Sequence, residues 1–163
     1  MNRARSARPG KRAAPQTAAD TPVSKIMSRE VVTVHSGTSL ESVIELMLAR
    51  GLSRMPVVDD RRRPVGIISK TDVVEESHDR DDLEELPRRG EEGRGFHLHR
   101  EGATVDEVMT PTVLSVADTA SVEQVAELMV SRHVHGLPVV DSRGELAGFV
   151  STMDVLAWLA GLR

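Results

Sequence analysis

The chain has no cysteine, and its aromatic residues are limited to Trp158, Phe96 and Phe149. Without cysteine there can be no disulfide, no thiolate nucleophile and no Cys-zinc site, which suits a reducing compartment. Three aromatic rings are too few for a base-stacking platform. A net charge of −4 gives the molecule no general grip on nucleic acid. No apolar run approaches the roughly 18 residues that a membrane helix needs. The first 20 residues carry Arg3, Arg5, Arg8, Lys11 and Arg12 but no hydrophobic stretch, so they do not form a secretory signal. The sequence also lacks the Gly-x-Gly-x-x-Gly, Gly-Lys-Ser/Thr and Gly-x-Ser-x-Gly signatures of common enzyme sites. These absences point to a cytoplasmic protein without a catalytic centre, a cofactor or a membrane association.

What the sequence does contain is an internal repeat. Residues Val23–Val74 align with Val105–Leu156 at a constant offset of 82, with no gap, and 20 of the 52 pairs are identical. The identities include Met27/Met109, Glu41/Glu123, Met47/Met129, Pro56/Pro138, Asp59/Asp141, Gly66/Gly148, Ser69/Ser151 and Asp72/Asp154. Each copy reads as strand, helix, strand, strand, helix, an α/β (α+β) pattern. Val31–Val34 and Val113–Val116 are valine-rich runs suited to strands. Thr38 with Glu41 resembles a capping box opening a helix. In that helix Leu40, Val43, Ile44 and Met47 recur at helical spacing, as do Val122, Val125, Ala126 and Met129. Met55–Val58 and Leu137–Val140 then lead through polar turns into Val65–Ser69 and Leu146–Ser151, a hairpin followed by a closing helix. A unit of this size has a marginal core alone, so the two copies are expected to pack together.

The flanks differ in composition. Residues 1–20 read as a disordered basic tail of solvated cations. The repeats occupy 21–82 and 103–163, and the charged, glycine-bearing segment 83–102 joins them as a linker. The Met27, Met47, Met109 and Met129 side chains lie at core spacing, and Trp158 suits a core or dimer contact. His97-x-His99 and His133-x-His135 fall short of a metal site, which needs three or four ligands.

One constellation recurs in both copies at the strand-to-helix junction: Gly66-Ile67-Ile68-Ser69-Lys70-Thr71-Asp72 and Gly148-Phe149-Val150-Ser151-Thr152-Met153-Asp154. A glycine on the strand would admit a ligand close to the backbone. A serine at the helix N-terminus adds a hydroxyl to free N–H groups, a place for phosphate. An aspartate one turn in offers two acceptor oxygens to a vicinal diol such as that of ribose. Ser-x-x-Asp is also a helix capping box, and the residues alone leave both readings open.

Together, the Met27/Met109 starts, Met55-Pro56-Val57-Val58-Asp59, Leu137-Pro138-Val139-Val140-Asp141 and the two Gly…Ser-x-x-Asp segments resemble a pair of cystathionine-β-synthase (CBS) domains, a Bateman module. The resemblance covers both repeats. It implies two βαββα units packed through their sheets about a pseudo-twofold axis, with clefts that bind AMP, ADP, ATP, S-adenosylmethionine or related ligands. It further implies pairing into a homodimer that signals to a downstream protein. By the same resemblance Asp72 and Asp154 match ribose-binding aspartates, and Ser69, Thr71 and Ser151 match hydroxyls near phosphate. Thr38, Ser53 and Arg54 line one cleft, against Ala120, His135 and Gly136 in the other. Ile67 and Phe149, which follow the two glycines, complete the candidate ligand-binding positions. Met153 stands where copy one has Thr71, and Gly136 where it has Arg54, so two unequal sites are expected. The implied role is a stand-alone regulatory module for an adenosine-containing ligand. The alternative is a ligand-free dimerisation or partner-docking module.

Overall fold

The computed structural model describes residues 17–81, 102–111 and 114–162. Copy one comprises β1 (Val34–His35), α1 (Leu40–Arg50), β2 (Arg54–Val58), β3 (Pro64–Ser69) and α2 (Lys70–Asp81). Copy two opens with a helical turn, α3 (Val105–Val108), and continues through β4 (Thr110–Pro111), β5 (Val116–Ala117), α4 (Val122–Arg132), β6 (Gly136–Val140), β7 (Leu146–Ser151) and α5 (Thr152–Leu159). The fold is α/β, with two sheets ordered β1-β2-β3-β4 and β5-β6-β7. In each copy a parallel pair is followed by an antiparallel hairpin whose register shifts beside its second valine, between Val57 and Val58 or between Val139 and Val140. Among the described residues no helix is long and apolar enough to cross a membrane.

Two expectations of local structure need correction. The strands expected over Val31–Val34 and Val113–Val116 are two-residue strands at Val34–His35 and Val116–Ala117, and Val113 itself lies outside the described residues. Their register explains the shortening. Val34 pairs with Val57 and Val116 with Val139. Extending either strand backwards would set Thr33 against Pro56 or Ser115 against Pro138, where the ladder finds no N–H donor. The cap of α1 is also one residue later than expected. Ser39, not Thr38, accepts from the Ser42 N–H, and α4 has a complete capping box formed by Ser121 and Gln124.

The two copies complete each other's cores. A single 3₁₀ turn at Val23–Lys25 delivers Val23, Ile26 and Met27 into the cluster of Val116, Val122, Val125, Met129, Leu137, Val139, Val150 and Val155. Reciprocally, Ala103 and Val105 enter the cluster of Val34, Leu40, Val43, Met47, Met55, Val57 and Ile68. Backbone hydrogen bonds pin both crossings. Val23 N–H donates to Ala120 and Val122 N–H to Thr21, while Val105 N–H donates to Thr38 and Leu40 N–H to Ala103, all at 2.7–2.9 Å. Val23 and Val105 are fully buried, and burying a valine side chain contributes about 1.5–3 kcal/mol. Neither copy therefore retains its whole core without the start of the other.

The same crossing explains the paired glycines. Val57 faces Gly66 and Val139 faces Gly148 across the hairpins. A Cβ at Gly66 would collide with the Met109 side chain, and one at Gly148 would lie 2.5 Å from Met27 Sδ and 2.8 Å from the Ser28 carbonyl oxygen. The expectation that these glycines admit a ligand to the backbone is corrected: the space beside each is filled by the methionine of the other copy.

Candidate ligand-binding site

The hairpins place their last residues beside the N-termini of α2 and α5. Arg54 pairs with Ser69 and Gly136 with Ser151. The helix starts are tied back by Lys70 N–H donating to the Ser53 carbonyl and Thr152 N–H to the His135 carbonyl, both at 3.0 Å. Ser53, Arg54, Ser69 and Thr71 thus gather at one junction, and His135, Gly136 and Ser151 at the other, with Met153 beside them. Ile67 and Phe149 lie two residues before the serines, opposite Pro56 and Pro138.

Both aspartates cap their own helices. Asp72 Oδ2 accepts from Ser69 N–H at 2.6 Å, and Ser69 Oγ accepts from Asp72 N–H at 3.3 Å. Asp154 Oδ2 accepts from the Ser151 N–H at 2.8 Å and from the Ser151 hydroxyl at 2.6 Å. The capping geometry left open by the residues is therefore present in both copies. It engages one carboxylate oxygen, Oδ2, in each. In Asp72 the other oxygen lies at the seam between repeats, where Oδ1 accepts a long, 3.4 Å hydrogen bond from the Thr110 hydroxyl of copy two. Asp72 is half-buried, and Asp154 is 9% exposed.

Thr38 stands apart from this cluster. Its hydroxyl donates to the His35 carbonyl at 2.6 Å and its carbonyl accepts from Val105. Among the described residues no hydrogen bond joins it to Ser69 or Asp72. Sequence reasoning missed Thr110 and its counterpart Ser28, which cross β3 and β7 opposite Ile67 and Phe149. The readable signal was a hydroxyl at both equivalent positions, directly after each repeated methionine. It also passed over Lys70, an exposed cation on the first residue of α2.

The two junctions differ in what covers them. The Phe149 ring lies over Gly136, with Cε1 2.6 Å from where a Cβ would sit. Met153 is 68% exposed. His133, the first member of the second His-x-His pair, occupies the left-handed C-cap of α4 at φ 54°, so it does not share an extended strand with His135. The pair His97-x-His99 lies outside the described residues. Among those described, no group of three or more His, Cys, Asp or Glu could hold a metal ion.

The architecture, two hairpin-and-helix repeats sharing cores through exchanged leading segments, is that of a CBS domain pair. The CBS domain profile matches residues 23–79 and 105–161, and the chain belongs to this family. It is similar to an uncharacterized protein of Methanocaldococcus jannaschii, 29% identical over 88% of this chain and 33% of the relative. The chain thus spans only a third of that relative's length. A CBS domain-containing protein of Dictyostelium discoideum is 30% identical over 82% of this chain and 88% of its own. Among solved structures, CBSX2 in complex with AMP shares 27% identity, covering 88% of this chain and 99% of that one, with a TM-score of 0.68.

Proposed function

We propose that this chain is a regulatory module that binds an adenosine-containing ligand between its two repeats and transmits occupancy as a change in their packing. The observation that carries this reading is the position of Asp72. Its Oδ2 is held by Ser69 N–H while its Oδ1 meets Thr110 of the other repeat. A ribose diol donating to this carboxylate would replace the long Thr110 bond with charge-assisted ones, each contributing about 1.5–3 kcal/mol. Asp154 repeats the same cap in the same strand context. Similarity to CBSX2, solved with AMP, supports the ligand class.

Transmission follows from the exchanged segments. Thr110 follows Met109, which packs on Gly66, and the chain then leads into β5 of copy two. A ligand that displaces Thr110 acts on both repeats at once, and its output is bounded by its differential affinity for the two packings. The proposed setting is the cytoplasm, with a second copy of the chain as partner. The exposed, equivalent apolar pair Leu48 and Val130, 70% and 75% accessible on α1 and α4, suits that pairing. A module of this kind has no catalytic step of its own.

A thermal-melting panel of AMP, ADP, ATP and S-adenosylmethionine tests the proposal. A ligand at 100 times its dissociation constant stabilises the fold by about 2.7 kcal/mol. Replacing Asp72 and Asp154 with Asn should weaken binding about tenfold to a hundredfold, measured by calorimetric titration. Unchanged affinity in the double variant would leave both carboxylates as helix caps alone. A panel that shifts nothing would favour ligand-free assembly, the reading that the two capping boxes and the exposed apolar pair also accommodate.

A further inference from the structure

The two junctions share a backbone and differ in charge. In copy one, Arg54 and Lys70 are both exposed and flank Ser69: Arg54 is its partner across the hairpin, and Lys70 follows it on the first residue of α2. Exposed Thr71 and Ser53 add hydroxyls beside them, and Asp72 is the acidic residue of that first helical turn. In copy two the equivalent positions are Gly136, Thr152, Met153 and His135, which bring no fixed positive charge.

A second difference is coupled to the first. Gly136 is overlain by the Phe149 ring, so close that any Cβ there would meet Cε1 and Cζ at 2.6 and 2.8 Å. An arginine at 136 cannot coexist with that ring in its present place. Copy one combines Arg54 with the smaller Ile67 at the position of Phe149. The exchange of arginine and isoleucine for glycine and phenylalanine therefore replaces a cation with an apolar surface at one spot. Exposed Met153 brings a flexible thioether where copy one has the Thr71 hydroxyl.

We infer that the two sites select different adenosine derivatives: copy one takes a phosphorylated one, and copy two takes one whose 5′ substituent is uncharged. The inference rests on the adenosine reading given above. At the copy one junction Arg54 and Lys70 flank the N-terminus of a 12-residue helix, a placement that favours the multiple negative charges of phosphate. At the copy two junction a phosphate would lose hydration against the phenyl ring over Gly136, with no fixed cation at the equivalent positions to compensate. A nucleoside or thioether-substituted nucleoside loses far less there.

Calorimetric titration of the full chain with ATP and with 5′-methylthioadenosine tests this. The expected result is one ATP per chain, weakened by added salt, and a 5′-methylthioadenosine site that remains available when ATP is saturating. The doubly substituted Arg54→Ala, Lys70→Ala chain should lose about tenfold to a hundredfold in ATP affinity and keep its affinity for 5′-methylthioadenosine. Both replaced side chains are exposed, so the fold is retained. Conversely, Gly136→Arg together with Phe149→Ile should raise the ATP stoichiometry to two. Equal ATP binding at both sites of the unmodified chain, or ATP affinity unchanged in the Arg54, Lys70 variant, would overturn the assignment while leaving the adenosine reading intact. Failure of both compounds and of AMP to bind would overturn the adenosine reading and the assignment with it.

Discussion

Copy one and copy two share their strand register, their helix caps and their reciprocal core contacts, yet they distribute backbone tension differently. Copy one ends α1 on Gly51 at φ 63°, while copy two ends α4 on His133 at φ 54°. In the hairpin turns the assignment is reversed, with Arg62 at φ 59° and Gly144 at φ 78°. At these two turns each copy thus places one side chain and one glycine in the left-handed region, on either side of β2 or β6. The turn of copy one also has a long-range partner: the Arg62 carbonyl accepts from Leu146 N–H of the other copy at 2.9 Å. The mirror bond cannot form, because the counterpart of Leu146 is Pro64, which has no N–H. A duplicated sequence can keep its fold while its halves drift apart at turns and at the junctions beside the helix starts. Those are the places where the packed core does not dictate the side chain.

The largest effect that should separate the copies lies at the paired glycines. Gly148→Ala would drive a methyl group into the Ser28 carbonyl oxygen as well as Met27, whereas the three atoms nearest a methyl at Gly66 all belong to the Met109 side chain, which can move. We expect the Gly148 variant to lose about 2–3 kcal/mol and the Gly66 variant about 1 kcal/mol, read from chemical denaturation midpoints. Equal losses would show that the two crossings yield alike. A smaller effect of opposite sign is expected at the left-handed side chains. Arg62→Gly and His133→Gly should each stabilise the chain by about 0.5–1 kcal/mol, and denaturation curves that do not move would mean those backbones are unstrained.

The smallest effect concerns the turn of copy two. The Asp141 carboxyl is held below its ordinary value of 3.8, first by the Arg143 backbone N–H, with help from the Glu145 N–H and the Arg143 guanidinium and against a desolvation contribution. A carboxyl depressed in the folded state contributes stability that is present above its unfolded pKa and is lost as pH falls through the folded one. The stability difference between the unmodified chain and Asp141→Asn should therefore shrink as pH drops below 3.8, as followed by acid-dependent melting. A difference independent of pH would assign the turn to neutral hydrogen bonds alone.

Much of this architecture was legible in the residues. The offset repeat, the hairpins with their Asp-opened turns, the helical periodicity and the Ser-x-x-Asp junctions all depend on neighbours close in sequence, and they occur where local spacing places them. The valine-rich runs suggest first strands longer than those that form, because Pro56 and Pro138, more than twenty positions away, limit their pairing. The glycines suggest room for a ligand, because nothing local reveals that a methionine from the other copy occupies that space. Thr110 went unnoticed for the same reason: its contact with Asp72 spans 38 positions.

The order of elements, the duplication and the two helix caps were determined by the sequence itself, since each rests on backbone propensity and hydrogen bonds within a few residues. Which copy completes which core, what fills the space beside Gly66 and Gly148, and which oxygen of Asp72 reaches the seam were decided only by tertiary packing. Those outcomes depend on surfaces that meet after the chain has doubled back, and a periodic pattern of apolar residues specifies that a face is buried without specifying its partner.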